Sequence, residues 1–156
     1  MSKKKDNARL AEIRNPKASR DYFLGNRFEA GVALTGTEVK AVRLGRANIA
    51  DAFVRIDADR IPTLYHAHIS EYDFGNVNNH NPYRPRRLLL HAREIRRLVA
   101  EIRSGGKTIV PTRMYFRHGL VKVEIALAQG KKLYDKRNDV RKRDDERYVR
   151  RSMRRN

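Results

Sequence analysis
The sequence predicts a mainly β protein: a small antiparallel barrel with flanking helices and a basic C-terminal tail. Three observations carry this. Between Phe28 and Ala128 apolar residues largely alternate with polar ones, the period of half-buried strands. Two short stretches inside that span switch to helical spacing. The last 27 residues hold 12 Lys or Arg, 5 Asp or Glu and few apolar side chains, too little to offset the entropy of ordering them. A chain of 156 residues suffices for one domain with tails. We expect a flexible arm over residues 1–14, a barrel domain over 15–129 and a tail over 130–156.

The elements follow in order. The start, "MSKKKDNARLAEI", is polar and has no apolar stretch behind its lysines, so it is not a secretory signal. "FEAGVALT" places Phe28, Ala30, Val32 and Leu34 on one strand face and Glu29 on the other. "TGTEVKAVRLG" opens with Thr35 and Glu38 at capping-box spacing and stops near Gly45, a short helix between strands. "DAFVRIDADRIPTLYHAHI" reads as two strands turning at "DADR". "YDFGNVNNHNPYRPRRLLL" is a polar loop feeding the apolar strand Leu88 to Leu90. In "HAREIRRLVAEIRSGG", Ile95, Leu98, Val99 and Ile102 form the stripe of an amphipathic helix stopped by Gly105 and Gly106. "TIVPTRMYFRHGLVKVEIALA" is a hairpin turning near Gly119, with Val121, Val123, Ile125 and Leu127 inward and Lys122 and Glu124 outward. Pro111 implies a bulge or an edge in its first arm. About six short strands with inserted helices favour a barrel of the oligonucleotide-binding type over an open sheet.

Charge points to the partner. The net charge of +18 repels itself and calls for a polyanion. A membrane is the weaker candidate, because no apolar run approaches spanning length and no broad apolar helix face lies opposite a basic one. Cysteine is absent, which removes disulfides, thiolate nucleophiles and Cys-based zinc sites. A soluble, cytoplasmic monomer is the expectation.

Catalysis finds no support. His66 and His68 share a face of a predicted strand, a spacing that can hold a metal, but no third ligand stands nearby. Ser19, Ser70 and Ser104 sit in no nucleophile elbow. "RSGGKT" follows a helix, whereas a phosphate loop follows a strand and precedes a helix. We expect no enzyme, no metal and no cofactor.

Basic runs interleaved with aromatics fare better. "NPKASRDYF" sets Lys17 and Arg20 beside Tyr22 and Phe23. "KAVRLGRAN" puts Lys40 and Arg43 about one helical turn apart, with Arg46 beyond. "NNHNPYRPRR" offers Tyr83 with Arg84, Arg86 and Arg87. Cations meet phosphates, and unpaired bases stack on flat side chains. Composition alone stops at a basic barrel that binds RNA, with a basic ribosomal protein as the alternative.

The strings "NPKASRDYF", "FEAGVALTGTEVKAVRLGRANI", "YRPRRLLLHAREI", "LVKVEIALAQGKKLYDKR" and the basic tail, in this order, resemble the bacterial small protein B (SmpB), or SsrA-binding, family. The resemblance runs from about Asn15 to the end. It implies a barrel related to the oligonucleotide-binding fold that binds transfer-messenger RNA and brings it to ribosomes stalled on messages lacking a stop codon. It also implies that the protein fills the small-subunit decoding region where a codon–anticodon pair would stand. By resemblance, Asn15, Glu29, Leu89 and Lys122 hold the tRNA-like half of the RNA, and Lys40 and Arg43 meet phosphates. Glu29 is the odd member: a carboxylate near RNA must accept a hydrogen bond from a base edge or orient a neighbouring cation. Leu89 reads equally well as core.

Asp135, Lys136 and Arg137 match the family's ribosome-engaging segment, with Gly130, Lys131 and Lys132 before it and Tyr134 where some relatives carry histidine. Arg151, Ser152 and Met153 complete the expected ribosome-binding tail. Asp139 with Arg143, Arg141 with Asp145 and Glu146 with Arg150 are each four apart, which suits a helix. The expectation is a tail disordered in the free protein and helical in the empty message channel.

Overall fold
The expected strands form and curl round one core. The structure, a computed structural model, describes residues 11–75, 79–131 and 133–154. Strands β2 (Tyr22–Val32), β4 (Phe53–Ile56), β5 (Pro62–Tyr65), β7 (Arg86–Leu89), β8 (Lys107–Arg117) and β9 (Leu120–Gly130) lie in the order β8-β4-β5-β7-β2-β9, and β9 pairs back onto β8. Among the described residues β4 meets β8 only at Val54–Ile109, while β8 and β9 pair along their length. The result is a partly open barrel of the oligonucleotide-binding type. β1 (Ile13–Arg14) extends the sheet beyond β8, and β3 (Ala47–Asn48) pairs with β6 (His68–Ile69) in a small sheet of its own.

The period-two pattern sets the inside. Phe28 and Ala30 of β2 are buried, as are Val121, Val123, Ile125 and Leu127 of β9. The β8–β9 hairpin turns on His118 and Gly119, both at positive φ (52° and 78°), which a two-residue hairpin loop of this hand requires. The register slips between Pro111 and Arg113, so the bulge expected at Pro111 is present. Helix α2 (Gly36–Arg43) starts where Glu38 accepts the Thr35 N–H at 2.9 Å. It ends at Gly45, whose φ is 75°. Helix α3 (Ala92–Arg103) inserts Leu98 into the core with Ile102 packed alongside, and stops before Gly105 and Gly106.

Three features depart from expectation. Helix α1 (Pro16–Asp21) occupies a stretch read only as basic and aromatic: the Asn15 side chain accepts the Lys17 N–H at 3.1 Å and Pro16 takes the first helical position, where its missing N–H costs nothing. The arm expected over 1–14 ends in β1, with Ile13 buried; residues 1–10 lie outside the described residues. His66 and His68 do not share a strand face. Left-handed backbone at His66 (φ 61°) separates β5 from β6, and the two rings lie against Phe53 and Tyr83 respectively.

Beyond β9 the tail forms helix α4 (Leu133–Arg154), with α1 beside it. Among the described residues no helix is long and apolar enough to cross a membrane.

Candidate nucleic-acid interface
Antiparallel register gathers residues distant in sequence into rows across the outer face of β7, β2, β9 and β8. Gly31 pairs with both Leu89 and Lys122, and Lys122 pairs with Tyr115. The row therefore reads Leu89, Gly31, Lys122, Tyr115. Leu89 is 60% exposed while Leu88 is 2% exposed, which settles their faces: Leu88 is core and Leu89 is surface. A side chain at position 31 would put its Cβ 3.3 Å from that of Leu89. Glycine lets the two strands approach there and leaves a shallow dip between an apolar side chain and an ammonium.

The neighbouring row sets Glu29 opposite Glu124, and Glu124 opposite Arg113. Two facing carboxylates repel, and each is compensated. Glu29 accepts the Tyr115 hydroxyl at 2.5 Å, and Arg117 Nη1 donates to both of its oxygens at 2.9 and 3.1 Å. The Tyr115 hydrogen bond does most to hold the Glu29 carboxyl below its usual value; burial, the next largest influence, opposes it, and Arg117 and Lys122 reinforce the hydrogen bond. Burial, and then Glu29, push the Tyr115 phenol up to about 12. Glu124 accepts Thr112 Oγ1 and Arg113 Nε, each at 2.8 Å. Of the two roles open to Glu29, orienting a cation is the one with a partner in place.

The cations of α1, of α2 and of the turn after α2 have partners of their own. Arg43 sits over the Phe116 ring at 5.8 Å and Lys40 over Tyr72 at 5.3 Å. Arg46 pairs with Asp73 at 2.9 Å. On α1, Lys17 pairs with Asp51 at 3.0 Å and Arg20 with Asp21 at 3.2 Å, while Tyr22 is half-buried against the small cluster around Ala18. These ion pairs are exposed, so each holds its cation loosely.

Two of the residues picked out in the sequence are buried and hydrogen-bonded within the fold. Asn15 is buried, and besides capping α1 its amide donates to the Ile49 and Pro111 carbonyls at 3.2 and 2.8 Å. Its side chain is occupied in joining α1 to the barrel. Arg86, grouped by sequence with surface cations, is fully buried: its Nε donates to Glu38, itself fully buried, at 2.5 Å, and its Nη1 donates to the Ala67 carbonyl at 2.6 Å. Arg84 reaches the other Glu38 oxygen at 2.6 Å. Burial pushes the Glu38 carboxyl up, but the Thr35 N–H and the two guanidinium groups outweigh it and hold it below the usual value. His80 completes this region, bonding Thr37 Oγ1 at 2.9 Å and the Ile69 carbonyl at 2.8 Å. The carbonyl only accepts, so Nε2 carries a proton.

The tail leaves the barrel at a fixed point. Gly130 ends β9, and the Lys131 N–H donates to the Asp21 carbonyl at 2.9 Å. The Lys131 ammonium donates to the Ser19 carbonyl at 3.0 Å and lies over the Phe23 ring at 4.9 Å. Arg137, Arg151 and Met153 are exposed. Lys132 lies outside the described residues, as do the side chains of Tyr134, Asp135, Lys136 and Ser152. Among the described residues no group of three or more His, Asp or Glu could hold a metal ion.

The family model described as SmpB protein matches residues 12–155. An SsrA-binding protein of Geotalea uraniireducens is 54% identical over 135 residues, covering 86% of this chain and 89% of the relative. One from Caldanaerobacter subterraneus is 48% identical over 147 residues, covering 94% and 92%. A solved structure described as "tmRNA-SmpB: a journey to the center of the bacterial ribosome" is similar at a TM-score of 0.66 and 40% identity, covering 78% of this chain and 85% of that one.

Proposed function
Because the chain belongs to the SmpB protein family, we propose that it binds transfer-messenger RNA (SsrA) and delivers it to stalled ribosomes for trans-translation. The observation that carries this reading is the 54% identity to an SsrA-binding protein over 86% of the chain. The activity is binding, carried out in the cytoplasm by a monomer without a cofactor. Lys122, Lys40 and Arg43 supply cations to phosphates of the tRNA-like half, and Leu89 beside Gly31 offers an apolar step against which a sugar or base can lie. Glu29 acts through Arg117. Asn15 acts through α1, holding Lys17 and Arg20 in place.

The tail is the ribosome's part. Its i,i+4 pairs stabilise a helix by only about 0.2–0.5 kcal/mol each, too little for a solitary helix to persist. In the free protein α4 exchanges with disordered chain, and the anionic message channel selects the helix. Only an empty channel admits it, so folding reports that no message is there. RNA pulled down with the protein and sequenced tests the reading: one abundant structured RNA is expected, with the protein substoichiometric on ribosomes. A stoichiometric ribosomal complement and no enriched RNA would instead identify a ribosomal protein.

A further inference from the structure
The loop after β6 holds Phe74 outward with Tyr72 half-buried beside it, and neither the basic runs of the sequence nor the outer-face rows include them. Phe74 is 79% exposed, and its ring stands edge-on to Tyr72 at 5.6 Å. Tyr72 in turn lies beneath the Lys40 ammonium at 5.3 Å. Single exposed apolar residues are ordinary. The loop that presents this one is built. The Asn79 amide brackets Tyr72, accepting its N–H at 2.9 Å and donating to its carbonyl at 2.7 Å. The Gly75 N–H reaches the same carbonyl at 2.9 Å. A Cβ at position 75 would fall 2.7 Å from Asn79 Nδ2, so that bracket requires glycine. Asp73, between the rings, is tied to Arg46 at 2.9 Å.

We propose that Tyr72 and Phe74 are a stacking platform for an unpaired base in the tRNA-like half of the RNA, with Lys40 beside it for the adjoining phosphate. A flat ring presented next to a cation suits a base and its phosphate and suits little else on a polyanion. Continuity favours the RNA that the barrel face holds. Lys40, over Tyr72, is one of the cations assigned above to that half of the RNA, so a base on this platform adjoins a phosphate that the same helix already faces.

The platform rests on the RNA-binding reading, and the test separates the two. The chain has no Trp, so F74W introduces a lone indole that stacks as Phe does. On titration with a transcript of the tRNA-like half, F74W should bind as the native protein does while its fluorescence is quenched in step with binding. F74L, which keeps apolar bulk and loses the ring, should bind about ten-fold more weakly. Its salt dependence should be unchanged, because no phosphate contact is lost, and so should its urea midpoint. Native affinity in F74L with an unquenched indole, while native protein still prefers this transcript to unrelated RNA, overturns the platform alone. No such preference in the native protein overturns the RNA reading with it. Quenching that appears only when small ribosomal subunits are added overturns the assignment to this RNA.

Discussion
Glu29 is a carboxylate on the face proposed to take RNA, and its neighbours explain how it stays there. Tyr115 and Arg117 hold it from β8, so its negative charge is already compensated if RNA binds on this face as proposed. The linkage has two signs. Glu29 titrates below its ordinary value of 4.5, so its contribution is complete above that value and is lost as pH falls through the lowered one. Tyr115, raised from 10.0 to about 12, holds its proton more tightly in the folded protein. Its contribution is complete below pH 10 and fades as pH climbs towards the raised value. Among the seven tyrosines, alkaline titration followed by tyrosinate absorbance should therefore find one that ionises late. Glu29→Ala should bring it back towards 10 and weaken specific RNA binding by about 1–3 kcal/mol, although a negative charge has been removed. A mutant that binds as tightly as the native protein would remove Glu29 and its two partners from the interface.

Elements differ in how plainly the sequence announces them. β9 was legible because Val121 to Leu127 carry a strict period two and the core accepts all four apolar side chains. α3 was legible from its stripe and its two stopping glycines. α1 was not: six residues are too few for a period, and only the Asn15–Pro16 cap marked it. Arg86 misled for a different reason. It shares the inward face of β7 with Leu88, but an inward arginine is tolerable only with a buried carboxylate, and Glu38 stands 48 positions away on α2. Leu89 was undecided until its exposure, beside a buried Leu88, fixed its face. Phe74 carried no signal, since its presentation depends on Asn79 bracketing a loop. The buried pair joins α2 to β7, so it carries a prediction about elements. Glu38→Ala leaves Arg86 buried without its counter-charge and should destabilise the fold by about 3–5 kcal/mol in urea unfolding. Loss of less than about 1 kcal/mol, within the range of a surface pair, would mean that the junction is held by packing alone.

The whole molecule combines a charge of +18 with a barrel and a tail, to which the proposed function gives different partners. For the barrel, log K for the RNA should fall linearly with log salt, by about 0.7–0.9 per phosphate contact, and Lys122→Ala should make the slope shallower by about one contact. Binding flat across salt would contradict an electrostatic interface. For the tail, the root is the informative place. Lys131 ties β9's end to the Ser19 and Asp21 carbonyls of α1, so it belongs to the barrel and sets the direction in which α4 departs. Past it, α4 presents Val140, Tyr148, Val149 and Met153, all exposed and few for its length, which suits a helix completed by a surface elsewhere. Truncation after Lys131 keeps the tie and removes the helix. The truncated protein should bind the RNA with native affinity and salt slope, because those contacts lie on the barrel. Tagging of stalled nascent peptides in a reconstituted translation system should fail, because nothing enters the message channel. In the full-length free protein, amides from Leu133 onward should exchange with solvent at near-unprotected rates and become protected on ribosomes without message. Undiminished tagging by the truncated protein would sink the channel role, and strong protection of those amides in the free protein would show that the helix is folded before it reaches the ribosome.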